Sequence, residues 1–388
     1  MRFRKISLWA ATLAFTMAAF PIRGAAASNS DGIGKPIYTV QPLKNARAES
    51  EEFRSPVITI PTWSSKFTFS SKGQKKTFPY TMVGSSPWAG SATTVVQVQI
   101  VPIALIFSNG RTLDGASRLA STVASPIFRP FQSQTGFTQF GDAVERASFH
   151  SIVQSRSPNW HVLLGEPSVL STQNITVPSE SGLEFTGSVS GAPIGLVDLD
   201  WFGKQINSLL KAINPDPRTL TIFLTYNTFL FSGNPGHCCI VGYHSAIESP
   251  GPGNARNLHT FVWATHNDPH IFAAPLEDIT ALSHEVAEWY SDPLVSNVVP
   301  AWVQPGSASC FSNILEVGDP MELFSDLSFR VTLDGRDYHP QDISLFSWFA
   351  RQSPSIGLNG RYSYRGGKLT TPAAVCQEIP KAAADSPR

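Results

Sequence analysis

Hydrophobic and polar residues alternate over most of the chain between residues 56 and 198, which is the pattern of β-strands. Short β-rich runs occur at 57–60 and 66–69, and a longer one extends from Thr93 to Phe107. Pro102 interrupts that longer run, so the sequence predicts either one strand bent at the proline or two strands. Residues 162–198 again predict strands separated by turns.

Helical spacing replaces this alternation in four places. It is weak at 113–123 and 142–153, and it is clearest at 199–213. There one face is apolar, and two prolines after Asn214 end the helix. The apolar face consists of Phe202, Ile206, Leu209, Leu210 and Ile213. Residues 277–290 form the fourth predicted helix.

The intervening segments complete the prediction. Strands are expected at 220–224 and 260–264, and the Gly-, Pro-, Cys- and His-rich stretch 232–254 is predicted to be a loop. Beyond Pro293 the chain is turn-rich up to about residue 375. These elements predict an α+β fold, a mixed β-sheet with a few helices and long irregular loops.

The domain organisation follows from the same pattern. Residues 56–375 form one α+β domain, and a subdivision near residue 215 stays open. Residues 28–55 are a polar, flexible lead-in, and 376–388 are a polar tail.

The first 27 residues have the three parts of a secretory signal peptide. Basic residues at the start precede an uncharged apolar stretch, Ile6 to Phe20, and small residues at Ala25 and Ala27 suit cleavage before Ser28. The apolar stretch is short for a membrane span, which needs about 20 residues. We therefore expect a secreted or periplasmic protein with no stable membrane span after cleavage.

The charge balance of the chain argues against one class of function, nucleic-acid binding. The chain has 388 residues, with 29 basic and 29 acidic side chains, and the predicted signal peptide carries four of the basic ones. Nucleic-acid binders usually have a basic excess, so this class is disfavoured. The chain also contains 9 tryptophans and 25 phenylalanines, enough aromatic residues to build a hydrophobic core.

Four cysteines fit an oxidising compartment and permit two disulfides. They are Cys238, Cys239, Cys310 and Cys376. Because adjacent cysteines rarely bond to each other, we expect Cys238 and Cys239 to pair elsewhere or one to stay free. The other pairings stay open. His237 and His244 flank the adjacent pair, and their irregular spacing favours hydrogen-bonded loop histidines over a second metal site.

The most informative segment is the helix that contains His284-Glu285-Val286-Ala287-Glu288. His284 and Glu288 lie four residues apart, which on a helix means about 40° of rotation and about 6 Å of rise. Both side chains can therefore bind one ion, and zinc is inferred from these ligand types. Glu285 takes the place of the general base in H-E-x-x-H zinc proteases.

A catalytic zinc normally has three protein ligands, so a third acid is needed. Glu316 is the preferred candidate. Asp292 and Asp319 are either alternative ligands or groups that orient the ligands. The loop before the helix offers Tyr243 and His244 as donors to a developing oxyanion.

These residues also carry a resemblance. The segment resembles bacterial secreted proteins with an S-H-E-x-x-E-x-x-T-D-P motif and, more distantly, the plant Exordium/phosphate-induced family. Over residues 236–320 the matching positions are Ser283, His284, Glu285, Glu288, Asp292, Pro293, Trp302, Glu316, Gly318 and Asp319, with the upstream run Cys238 to Ser245. The resemblance implies a metallopeptidase-like fold and a zinc-dependent hydrolase. Trp289, Tyr290, Ser291 and Met321 depart from its pattern.

Two functional hypotheses follow. The first is a secreted zinc-dependent hydrolase, a metallopeptidase acting on a peptide or protein substrate, with His284, Glu288 and Glu316 as ligands and Glu285 as general base. The alternative is a secreted, non-catalytic binding or cell-surface protein with a structural or vestigial metal site. An open cleft at His284 would favour the first, and a sealed helix the second. The sequence leaves the substrate and the oligomeric state open.

Overall fold

The structure is a computed structural model that describes residues 31, 37–38, 57–71, 73–250, 256–307 and 309–376. The predicted signal peptide, most of the lead-in and the tail beyond Cys376 lie outside these residues. The strands of the described part are β1 (Ile37–Tyr38), β2 (Val57–Ile58), β3 (Thr62–Ser71), β4 (Gln74–Val83), β5 (Thr93–Ile106), β6 (Thr112–Asp114), β7 (Phe131–Ser133), β8 (Gly136–Thr138), β9 (His161–Leu164), β10 (Ser168–Val169), β11 (Gln173–Thr176), β12 (Gly182–Thr186), β13 (Pro193–Asp198), β14 (Thr219–Tyr226), β15 (Thr228–Phe231), β16 (Cys238–Pro250), β17 (Arg256–His266), β18 (Val298–Val303), β19 (Cys310–Ile314), β20 (Val331–Leu333) and β21 (Arg336–Tyr338). Its α-helices are α1 (Leu119–Val123), α2 (Phe140–Ser148), α3 (His150–Arg156), α4 (Leu199–Ile213), α5 (Thr280–Ser291) and α6 (Phe346–Phe349).

One large mixed sheet organises the fold. Its main path runs β10-β5-β14-β17-β16-β15-β13-β12. The central strands β5, β14 and β17 are parallel, whereas β16 is antiparallel to both β17 and β15. Because this sheet is mixed and the helices are few, the predicted α+β class is confirmed.

Both faces of the sheet are covered, so its central strands are apolar on both sides. In β14, Ile222 and Leu224 belong to one core and Phe223 to the other. Helix α5 packs on the first face against β16 and β17, next to α2 and β4. Helix α4 packs on the opposite face, where Phe202 meets Trp263 with ring centroids 5.1 Å apart.

Helix α4 has the predicted bounds, because its signals are local. The Asp198 carboxylate accepts a hydrogen bond from the Trp201 N–H at 2.9 Å, which is an N-cap. Asn214 ends the helix in the left-handed conformation, with φ 44°. Pro215 then prevents its continuation.

The predicted loop at 232–254 is wrong, because 238–250 form the long strand β16 inside the sheet. Gly and Cys made this segment look like a loop in the sequence. In the structure these small residues lie in a strand that is covered on both faces. Near Val241 one extra residue enters β16, as Ile37 and Tyr38 pair with Ile240 and Gly242. Such a bulge re-aims the side chains that follow it.

Two other predictions need correction, and one open alternative is decided. Residues 113–123 are only partly helical, since β6 and a 3-10 turn at 115–118 precede α1. The helix predicted at 142–153 is broken into α2 and α3 at Phe149, where ψ is 27°. Thr93–Ile106 is one strand, which is one of the two alternatives predicted for the run around Pro102, and Pro102 lies where the neighbour of β5 on one edge changes from β10 to β11.

The cysteines form two disulfides. Cys310 bonds to Cys376, with Cα atoms 5.7 Å apart. Cys238 bonds to its neighbour Cys239, so the expectation that adjacent cysteines would not pair is wrong. Because Cys310 and Cys376 bond to each other, Cys238 and Cys239 are the two cysteines left, and they form the second disulfide. Within the described residues, no helix is long and apolar enough to cross a membrane.

Candidate metal centre

Helix α5 carries the centre and is buried along its whole length. All twelve of its residues are buried, and His284 and Glu285 are each 0% exposed. On the sheet side, Val286 belongs to the main core. Where a surface helix would place solvated side chains, α5 therefore places two glutamates and an imidazole inside the protein.

His284 has a defined ring orientation. The Gln341 side-chain N–H donates to the carbonyl of Gly318 at 2.8 Å, which fixes the amide and turns its Oε1 toward His284 Nδ1 at 3.2 Å. A carbonyl oxygen only accepts, so Nδ1 of the neutral ring carries the proton. The lone pair of Nε2 then points at Glu288 Oε1, 3.2 Å away, and Asp319 Oδ1, 3.4 Å away.

A lone pair facing two carboxylate oxygens is repulsive unless a proton or a metal cation lies between them. Charge-assisted hydrogen bonds are usually about 2.7–2.9 Å long. Ligands held about 2.0–2.1 Å from a tetrahedral zinc are separated by about 3.4 Å. The two separations at His284 Nε2, 3.2 and 3.4 Å, match the spacing of ligands around a shared ion.

Asp319 occupies the place that sequence reasoning preferred for Glu316. The ligand atoms of His284, Glu288 and Asp319 all lie within 4.8 Å of one another, and this group does not include Glu316. Glu316 is instead hydrogen-bonded to Asp319. The reason is the 3-10 turn at 319–321, which follows Gly318 and turns Asp319 toward α5. The preference between these two acids is therefore reversed.

Gly318 allows this approach because it has no side chain. A Cβ at this position would lie 2.3 Å from His284 Nδ1. Its N–H donates to Glu288 Oε1 at 3.0 Å, and its carbonyl holds the Gln341 amide. One glycine thus orients two of the three candidate ligands.

His244 enters the centre from β16. After the bulge, Gly242 and His244 face α5, and His244 Nδ1 lies 3.2 Å from Glu285 Oε2. A Cβ on Gly242 would lie 2.8 Å from Glu285 Oε1. His244 was predicted to donate to a developing oxyanion. In the structure its ring instead faces the carboxylates of Glu285 and Glu288.

Tyr243 does not line the centre, contrary to its predicted role as an oxyanion donor. Alternation along β16 turns its ring to the opposite face, where it packs 5.4 Å from Trp263 and 6.0 Å from Phe261. We therefore remove Tyr243 from the site.

Asp292 acts beside the centre through its backbone. Its carboxylate accepts the N–H groups of Ser296 and Asn297, both at 2.9 Å, and so shapes the turn after α5. Its carbonyl oxygen lies 3.2 Å from His244 Nε2. Asp292 therefore contacts His244 through its carbonyl oxygen and does not join the group of His284, Glu288 and Asp319.

The buried charges perturb one another strongly. Burial lowers the pKa of His284, but Glu288 and Asp319 outweigh it and raise the pKa well above 6.5. Burial raises the pKa of Glu285 to about 7 and that of Asp292 to about 6. Burial together with Asp319 raises the pKa of Glu316 well above its usual value. Such perturbed groups are typical of functional sites and of buried ion clusters alike.

The comparisons with known proteins leave these residues to be interpreted on their own chemistry. No family model, curated protein or solved structure matches the chain.

Sequence reasoning missed Gln341 and gave His244 a different role. Gln341 lies 57 residues from His284 and has no motif around it, so only the fold identifies it as the group that orients this histidine. His244 was noticed, but the assignment of its segment to a loop hid the fact that alternation along a strand aims it at α5.

Proposed function

We propose that this chain is an exported metalloprotein that holds a divalent cation, with zinc as first candidate, between His284, Glu288 and Asp319. One observation carries the proposal. A buried imidazole, oriented by Gln341 at Nδ1, turns its Nε2 toward two carboxylate oxygens 3.2 and 3.4 Å away. The two disulfides fit an oxidising compartment, as export requires.

Burial favours a structural role for the ion. The candidate ligands are 0–2% exposed, so substrate has no direct approach to them in this conformation. A cation here would add a link between α5 and the segment around Asp319, which already share the main core and the hydrogen bond from Gly318 N–H to Glu288. Metal binding would then be part of folding stability.

The test is metal removal from the purified mature protein. We expect one equivalent or more of bound metal by mass spectrometry, and a melting temperature that falls on chelation. A ligand at a thousand times its Kd stabilises by about 4 kcal/mol. His284→Ala should lose this metal, whereas His237→Ala, at an exposed histidine, should keep it. A metal-free wild type, or full retention by His284→Ala, would refute the proposal.

A second candidate, the metallopeptidase that the resemblance implies, is favoured by Glu285. Its carboxylate follows the His284 ligand directly, and within the described residues its Oε1 has no hydrogen-bond donor. A carboxylate so placed can take a proton from metal-bound water once substrate gains access. Hydrolysis of a peptide library by wild type but not by Glu285→Gln would support it. Equal turnover by both would exclude Glu285 as the base.

A further inference from the structure

We propose that the centre holds two divalent cations, with the second bound by His244 Nδ1, Glu285 Oε2 and Glu288 Oε2. The inference rests on the proposed function, because Glu288 is also a ligand of the first ion. The three ligand atoms belong to one group in which all separations are within 4.8 Å. His244 Nδ1 lies 3.2 Å from Glu285 Oε2 and 3.5 Å from Glu288 Oε2.

The tautomer of His244 is fixed as firmly as that of His284. Its Nε2 lies 3.2 Å from the carbonyl oxygen of Asp292, and a carbonyl oxygen can only accept. Nε2 therefore carries the proton of the neutral ring, and the lone pair on Nδ1 points at the two carboxylates. Metal-binding histidines typically use a backbone carbonyl in this way to orient the ring.

Glu288 divides its two oxygens between the two groups. Oε1 belongs with His284 and Asp319, and Oε2 belongs with His244 and Glu285. Two-metal sites keep their ions about 3.5–4 Å apart, a spacing that a carboxylate bridge can span. The structure thus places a bridging carboxylate between two sets of ligands, each containing one nitrogen.

The concentration of buried acids is consistent with bound cations. Five carboxyl groups surround two imidazoles, and all are buried. Within the described residues, no lysine or arginine forms an ion pair with any of the five. The acids are Glu285, Glu288, Asp292, Glu316 and Asp319. Carboxylates that ionise in this cluster need compensating charge, and among the described residues only the two imidazoles and any bound cations can supply it.

Glu285 supplies an independent observation. Its side chain is 0% exposed, and its Oε1 has no hydrogen-bond partner among the described residues. Oε1 lies against the backbone of Gly242, the residue at the bulge of β16. Hydrogen bonds within the described residues therefore neutralise this carboxylate only in part, and a cation bound at Oε2 would compensate its charge.

The experiment counts zinc. Mature protein is stripped with chelator, loaded with zinc sulfate, desalted, and measured by mass spectrometry, and circular dichroism monitors folding. We expect two zinc ions per wild-type chain and one in His244→Ala. Glu285→Gln, which is nearly isosteric, should also bind one zinc ion. This variant keeps the second position testable if His244→Ala fails to fold. His237→Ala is the matched control and should hold two.

The outcomes separate this inference from the proposed function. One ion in the wild type, unchanged in Glu285→Gln, refutes the second position and leaves the first. No ion in the wild type refutes both. Two ions in the wild type and still two in Glu285→Gln and His244→Ala place the second ion elsewhere, which also overturns the inference.

Discussion

Glu145 offers a test of the electrostatic reasoning that does not depend on metal. It lies in α2, is 2% exposed, and accepts a hydrogen bond from Ser291 Oγ of α5 at 3.1 Å. Burial raises its pKa from 4.5 to about 8, because desolvation outweighs the hydrogen bond from Ser291 and Asp142 adds repulsion. The folded protein therefore keeps this carboxyl protonated at neutral pH.

Proton linkage gives the direction in which Glu145 makes the folding stability change with pH. Between pH 4.5 and about 8 the folded chain holds a proton on Glu145 that the unfolded chain has released. The stabilisation is complete below pH 4.5 and is lost as the pH rises to about 8. Each pKa unit corresponds to about 1.4 kcal/mol, so the loss amounts to at most about 5 kcal/mol over this range.

Glu145→Gln keeps the shape and the acceptor for Ser291 but cannot ionise. We expect this variant to match the wild type near pH 4.5 and to be more stable by several kcal/mol, at most about 5, at pH 8. The assay is urea unfolding at four pH values, with Glu180→Gln as an exposed control. Because both proteins share every other titrating group, the difference between them isolates Glu145. A difference that does not change with pH would refute the reasoning.

Two further predictions concern packing and covalent links. Gly318→Ala would place a Cβ 2.3 Å from His284 Nδ1, so we expect a lower melting temperature and loss of the metal bound by His284, and unchanged metal content would contradict this. Cys310→Ser with Cys376→Ser opens a link spanning 66 residues, so the free energy of unfolding from urea titration should fall by about 4 kcal/mol. Cys238 and Cys239 are one residue apart and close no chain loop, so an equal loss in their double serine variant would contradict the entropic explanation.

Sequence reasoning succeeded where the signal was local. The bounds of α4 followed from an apolar face and a proline stop, both of which act within a few residues. The pairing of His284 with Glu288 followed in the same way, because their separation is set by the pitch of one helix.

Sequence reasoning failed where partners distant in the chain decide the outcome. β16 contains Gly, Cys and His, and only the strands on either side make it a strand. Whether Glu316 or Asp319 lies beside α5 depends on a single turn at 319–321. Spacing along the chain cannot reveal that turn. Gln341 belongs to the centre through one amide that joins Gly318 to His284.

These long-range contacts also bring together the two histidines on which the proposed metal site rests. Two neighbouring imidazoles are each fixed by an acceptor on one nitrogen, Gln341 for His284 and the Asp292 carbonyl for His244. Each must then turn its other nitrogen toward Glu288. Without metal, both rings would need a second proton, leaving two positive charges among five buried acids. Protons on Glu285 and Glu316, whose pKa values burial raises, would have to supply the remaining neutralisation. Under the proposed function, divalent cations would supply this neutralisation directly, between atoms that lie 3.2 to 3.5 Å apart.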